Sequence, residues 1–260
     1  LASIAIFFAI GVTGFLLGGF EGRWQTPTYT DTIQASPQRQ QCSTEGVRYL
    51  PPDRSCTYFG DQVTWAAFGD SHVAEIAYEL ARQLEPEDVG LLHLSFSGCP
   101  PALLFEAKTP GCSQWLRESL EYLEQDTSIQ NVLVGFRHSV YLHGDQLAAY
   151  PALPHDDPAD MFATEFRSQV EGDAKELYWK SFREILRRLT QAGKTVYVLY
   201  PIPELPASMT KAATPLWVLN QEPLLDLDRA SSAAYYVARN QFIRAKLDTL
   251  PTKPGCYLYH

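Results

Sequence analysis

The chain reads as an α/β domain built on a mostly parallel sheet. Three observations predict this. Short apolar, β-prone runs alternate with amphipathic stretches of helical period. The runs recur at Gln62–Phe68, Val89–Leu94, Val132–Phe136, Thr195–Tyr200 and Cys256–Tyr259. Most of them end in polar or glycine-rich turns, where ligands of open parallel sheets bind.

Composition sets the outer bounds. At 260 residues and 45% apolar content the chain can bury a full domain core. A net charge of −9 with no basic patch excludes a nucleic-acid surface and leaves a neutral glycan open as a substrate.

Residues 1–20 carry no charge and approach the length of a membrane span. They lack the basic start and small-residue cleavage site of a signal peptide. They are read as a transmembrane helix, the last span of a longer membrane protein, contacting the lipid bilayer. Residues 21–60 are rich in Thr, Gln, Ser and Pro and read as an exported linker with a disulfide loop. Residues 61–260 form the α/β domain.

The first strand, from Gln62, stops at Gly69-Asp70-Ser71-His72, and a helix follows over Val73–Leu84. Ser71 therefore sits where a strand ends and a helix begins. Its hydroxyl is a helix cap or a nucleophile. The second strand ends at Ser97-Gly98-Cys99-Pro100-Pro101, and a helix runs from Ser113 to Gln125. The third ends at Arg137-His138. A long irregular segment, Gly144 to Gly172, leads to a helix over Ala174–Gln191. The fourth strand closes on Pro201-Ile202-Pro203-Glu204. A last helix spans Ser231–Leu250.

Cys42 and Cys56, and Cys99 and Cys112, bracket turn-rich loops. In an exported domain this spacing favours disulfides Cys42–Cys56 and Cys99–Cys112, although four cysteines permit three pairings. Cys256 has no clear partner. No metal site is expected, because no Cys-x-x-Cys occurs and no His lies at ligand spacing beside the pairs. Asp156-Asp157 and Asp226-Leu227-Asp228 read as solvated carboxylates. Trp217 is a candidate sugar-stacking residue.

Gly69-Asp70-Ser71-His72, Ser97-Gly98-Cys99-Pro100-Pro101, Arg137 and Pro201-Ile202-Pro203-Glu204 together resemble the SGNH (GDSL-like) hydrolase and acyltransferase superfamily. More narrowly, they resemble the periplasmic SGNH domain fused to membrane acyltransferases of family 3, which O-acetylate bacterial surface polysaccharides. The resemblance covers residues 40–260. It implies a three-layer α/β/α, flavodoxin-like fold and a serine acyl-enzyme, with Ser71 as nucleophile and the amides of Ser71 and Gly98 as the oxyanion hole.

It further implies an inner-membrane protein with this domain in the periplasm, acting on polysaccharide such as lipopolysaccharide O-antigen. Its acyl group would come from a membrane acyltransferase domain of the same chain, which uses a donor such as acetyl-CoA. No cofactor would be bound in this domain. Two other readings fit the same scaffold: a periplasmic carbohydrate esterase and a non-catalytic glycan-binding or assembly domain.

The sequence departs from the family pattern in two places. The third strand ends in Arg137-His138 where the superfamily offers Asn. Arg137 then holds an oxyanion or substrate, or forms a structural salt bridge. The Asp-x-x-His that supplies the rest of the triad does not occur after residue 228. The triad Asp and His are therefore expected after His260, with His138 as a substitute base. His93 reads as a packed core residue, and His72 would have to fold back on its neighbour.

Overall fold

The computed structural model describes residues 2–16, 35–44, 49–143, 173–204, 232–251 and 256–259. It has two compact units, Leu1–Gln34 with Met209–Leu224, and Ala35–Ser208 with Leu225–His260.

Of the first unit one helix is described, α1 (Ala2–Leu16). It carries no charge, and Ile6, Phe7, Phe8, Ile10, Val12, Phe15 and Leu16 are exposed on it. Its 15 residues span about 22 Å at 1.5 Å each, against a hydrocarbon core of about 30 Å. Among the described residues no helix is long and apolar enough to cross a membrane.

The second unit is built on a six-stranded sheet of order β1-β3-β2-β4-β5-β6. The strands are β1 (Thr57–Tyr58), β2 (Gln62–Gly69), β3 (Val89–Ser95), β4 (Asn131–Gly135), β5 (Thr195–Leu199) and β6 (Cys256–Tyr259). All neighbours are parallel except β1, which runs antiparallel to β3 at the edge. The helices are α2 (Arg39–Cys42), α3 (Ser71–Leu84), α4 (Cys112–Gln125), α5 (His138–His143), α6 (Ala174–Gln191), α7 (Ala233–Arg239) and α8 (Gln241–Leu247).

Alternation along the strands sends side chains to two separate cores, which makes the domain three-layered. Phe68, Leu92, Leu94, Val132, Val134, Val196 and Val198 face one side. There they pack with Trp115, Leu116 and Leu120 of α4, Phe182, Ile185 and Leu189 of α6, and Ile243 and Leu247 of α8. Ala67, Leu91 and Leu133 face the other side, against Val73, Ala77 and Ala81 of α3. Small residues on α3 let its axis lie close to the sheet. Trp65 stacks on Tyr197 at 4.8 Å between ring centroids, closing the rim of this smaller core.

Three elements differ from the expectation. The chain enters the domain well before residue 61. Thr44 bridges to Phe96, Ser36 and Arg39 hydrogen-bond Glu75 of α3, and β1 extends the sheet. These contacts are long-range, so a polar composition alone did not reveal them. The predicted single helix Ser231–Leu250 is two. Asn240 sits at φ −102°, ψ 11°, and its side-chain amide donates to the Tyr236 carbonyl at 3.0 Å, a local bond that competes with helix continuation. The residues after Arg137 form a short helix, α5, where no helix was expected.

Both nearest-neighbour disulfides are present, Cys42–Cys56 and Cys99–Cys112. The segment Gly144–Gly172, with His155 and Asp156-Asp157, lies outside the described residues. So do Trp217, Asp226, Asp228, residues 17–20 of the expected span, the side chain of Cys256, and His260.

Candidate active site

The central strand β2 carries the chain to the site. Gly69 pairs with Ser95 of β3 on one side and with Gly135 of β4 on the other. A Cβ on Gly69 would lie 1.7 Å from the Gly135 carbonyl oxygen, so close approach of the two strand ends requires glycine there. The chain then turns at Asp70 into α3. The turns after β2, β3 and β4 thus share the carboxyl edge of the sheet.

Asp70 caps α3. Its Oδ1 accepts the His72 amide at 2.9 Å. Its Oδ2 accepts the Arg137 amide at 2.7 Å and the Tyr141 hydroxyl at 2.7 Å. The carboxylate is wholly buried, and burial pushes its pKa up to about 6 despite the three donors and the nearby Arg137 charge.

Because Asp70 takes the cap, Ser71 stands at the first helical position with its hydroxyl released from that role. Ser71 is partly exposed, and among the described residues neither its hydroxyl nor its amide has a hydrogen-bond partner. Gly98 lies on the turn after β3, at φ +69°, exposed, and its amide is also without an acceptor among the described residues.

Arg137 donates from Nε to Glu204 at 2.5 Å. Glu204, after β5, is buried and also receives Arg239 of α7. Arg137 therefore forms the salt bridge that was one of its two readings, with its side chain still partly exposed. The two arginines outweigh the burial of Glu204 and hold its pKa below the usual carboxylate range.

The histidines separate cleanly. His138 is fully buried; its Nδ1 lies 2.7 Å from the Tyr178 hydroxyl and its ring packs on Phe182. Burial lowers its pKa to about 3, so it is neutral and enclosed by the α6 core. The expected substitute base is thus a core residue, because His138 opens α5 rather than ending a strand and its ring packs against Tyr178 and Phe182 of α6. His93 is buried beside Tyr58, with 2.8 Å between Nδ1 and the hydroxyl, which is the packed role expected of it. His72 has its pKa lowered to about 4, chiefly by burial. Among the described residues no histidine hydrogen-bonds Ser71.

Sequence reasoning missed Tyr141, Arg239 and Thr109. Tyr141 reaches Asp70 from α5, 71 positions away, with no local signal in the chain. No group of three or more metal-ligating side chains is present among the described residues.

No curated protein matches the chain. One solved structure similar to it is an active-site mutant of a family two carbohydrate esterase from Clostridium thermocellum, in complex with "celluohexase". It is 12% identical, with a TM-score of 0.29, and 83% of this chain is covered. This chain spans about half of that structure, 51%, and the likeness is too slight to carry an argument. The model of the SGNH domain, described as fused to AT3 domains, matches residues 41–260. With the strand order, the Gly-Asp-Ser-His turn and the match over most of its length, the chain belongs to the SGNH domain family.

Proposed function

We propose that this domain carries an acyl group as an ester on Ser71 and passes it to a sugar hydroxyl of a bacterial cell-surface polysaccharide. The observation that carries the reading is the division of labour at the turn. Asp70 caps the helix, and Ser71 keeps a hydroxyl without a partner among the described residues at a helix N-terminus.

In this reaction the Ser71 oxygen attacks the acyl carbonyl carbon while its proton passes to a general base. The electron pair moves onto the carbonyl oxygen, beside the amides of Ser71 and Gly98. Collapse expels the leaving group, which takes the proton from the base. A sugar hydroxyl then repeats the sequence on the acyl-serine.

The acyl donor would be a membrane acyltransferase domain of the same protein, with this domain on the periplasmic side of the inner membrane. Residues 1–20 would contact the bilayer. The uncharged helix Ala2–Leu16, with its exposed apolar side chains, supports that placement. The family's description as fused to AT3 domains supports the partner.

The test uses the full-length protein with p-nitrophenyl acetate as donor and de-acetylated cell-surface polysaccharide as acceptor. Mass spectrometry should find acetyl on Ser71, and Ser71→Ala should abolish both that adduct and sugar acetylation. Transfer that survives Ser71→Ala overturns the reading. An adduct that passes only to water replaces the transferase with an esterase.

A further inference from the structure

The turn that carries Gly98 is exposed at its tip and restrained on both sides. We propose that Thr109 and the two disulfides are positioning residues that hold the Gly98 amide in place as an oxyanion donor. This rests on the reading of Ser71 and Gly98 given above.

Gly98 follows a sheet strand at positive φ and projects into solvent. A glycine in that setting is a flexible joint. Oxyanion donors are effective because they are fixed before charge develops, so such a joint needs external restraint.

On the C-terminal side, Cys99 is bonded to Cys112, the first residue of α4, and both are wholly buried. Thr109 donates its hydroxyl to the Gly98 carbonyl at 3.0 Å. Further on, the amides of Leu103 and Leu104 converge on Ser181 Oγ at 2.9 and 3.0 Å, and that hydroxyl donates back to the Pro101 carbonyl. The loop is thereby tied to α6.

On the N-terminal side, the Ser97 amide donates to the Thr44 carbonyl at 2.8 Å, and Ser95 Oγ donates to Ser43 Oγ at 3.1 Å. Ser43 and Thr44 directly follow Cys42. Its partner Cys56 accepts the His93 amide of β3 through its carbonyl at 2.9 Å. Each disulfide therefore closes a short loop onto one flank of the Gly98 turn. The Thr109 bond is informative because it lies at the surface, where water would satisfy the Gly98 carbonyl equally well. Its distinct effect is to fix the orientation of the turn.

The experiment follows p-nitrophenolate release from p-nitrophenyl acetate by the full-length protein. Thr109→Val should lower kcat about three- to tenfold, the size of one modest hydrogen bond, with KM and Tm unchanged. Thr109→Ser should restore the rate. The pair Cys99→Ala with Cys112→Ala should lower kcat further, toward the roughly 100-fold loss seen when an oxyanion donor is removed. If Ser71→Ala abolishes release but Thr109→Val keeps the wild-type kcat, shifts only KM, or is not restored by Ser, the positioning role is overturned and the nucleophile stands. Release that persists in Ser71→Ala overturns the underlying reading instead.

Discussion

The buried carboxylate of Asp70 accepts the backbone amide of Arg137 at 2.7 Å. This one bond joins the turn after β2 to the turn after β4, 67 positions apart. It makes Asp70 a structural hinge-pin as well as the cap of the helix that begins with Ser71. The Tyr141 hydroxyl completes the arrangement from α5.

Tyr141→Phe should test that arrangement. It removes a hydrogen bond to a buried charged group, a loss of about 1.5–3 kcal/mol. Chemical denaturation should show the loss, and acylation of Ser71 should fall with it as the turn loosens. Unchanged stability would mean that Asp70 is held by its two backbone donors alone.

Gly69→Ala should be poorly tolerated. The added Cβ would lie 1.7 Å from the Gly135 carbonyl oxygen, and neither backbone can retreat without breaking the β2–β4 ladder. A destabilisation of about 3 kcal/mol or more is expected, at the upper end for overpacking. Gly98→Ala makes a useful contrast. A Cβ there meets nothing within 4 Å, so only the strain of φ +69° opposes it, costing about 1 kcal/mol. Equal melting temperatures for the two variants would refute the argument.

Arg239→Met should expose the cost of the buried Glu204. Arg239 and Glu204 are both buried, and removing Arg239 strips Glu204 of one of its two arginine partners, leaving the partly exposed Arg137 to compensate it. About 1.5–3 kcal/mol should be lost, the size of a hydrogen bond to a charged group. Arg239→Met with Glu204→Gln should recover much of it, as an unfolding titration of the double variant would reveal. A double variant no better than the single would point to a packing role for Arg239 instead.

Acid should destabilise the domain. His93 and His138 are buried and neutral, with pKa values lowered by desolvation to about 4 and about 3. The unfolded chain binds a proton at each near pH 6.5, so stability is fully present above that value and is lost as pH falls toward 4. At pH 5 the loss is about 2 kcal/mol for each. Asp70 acts in the opposite direction. Its raised pKa, about 6, favours the protonated folded state at low pH and offsets about 1 kcal/mol at pH 5. Urea midpoints at pH 5 and pH 7.5 measure the balance, and His138→Gln should flatten the slope. A midpoint that rises toward pH 5 would contradict the assignment of neutral histidines.

Much of the fold was legible because its signals are local. Alternating Val132-Leu133-Val134 on β4 splits two cores over three residues, and the spacing of Phe182, Ile185 and Leu189 shows the buried stripe of α6. Disulfide pairing followed from short separations of 14 and 13 residues. β1 was not legible, since two residues at a sheet edge carry no periodicity. The Asn240 break was also hidden, because the apolar spacing continues through it into α8.

For the site, residues 69–72 and 97–101 already carried strand ends, turn glycines and a hydroxyl at a helix start, features that nearest neighbours in the chain decide. The partners of those residues were decided only by folding. His138 and Arg137 are adjacent in sequence, yet one is sealed against Tyr178 and the other is held by Glu204 at the domain surface. Whether a side chain turns into the core or toward the site depends on which helix packs over it. That choice is set by long-range burial and hydrogen bonding rather than by local spacing. So the chain alone singled out Ser71. Only the tertiary structure revealed that Asp70 takes the capping role, with Arg137 and Tyr141 fixing its carboxylate, and so leaves the serine hydroxyl without a partner among the described residues.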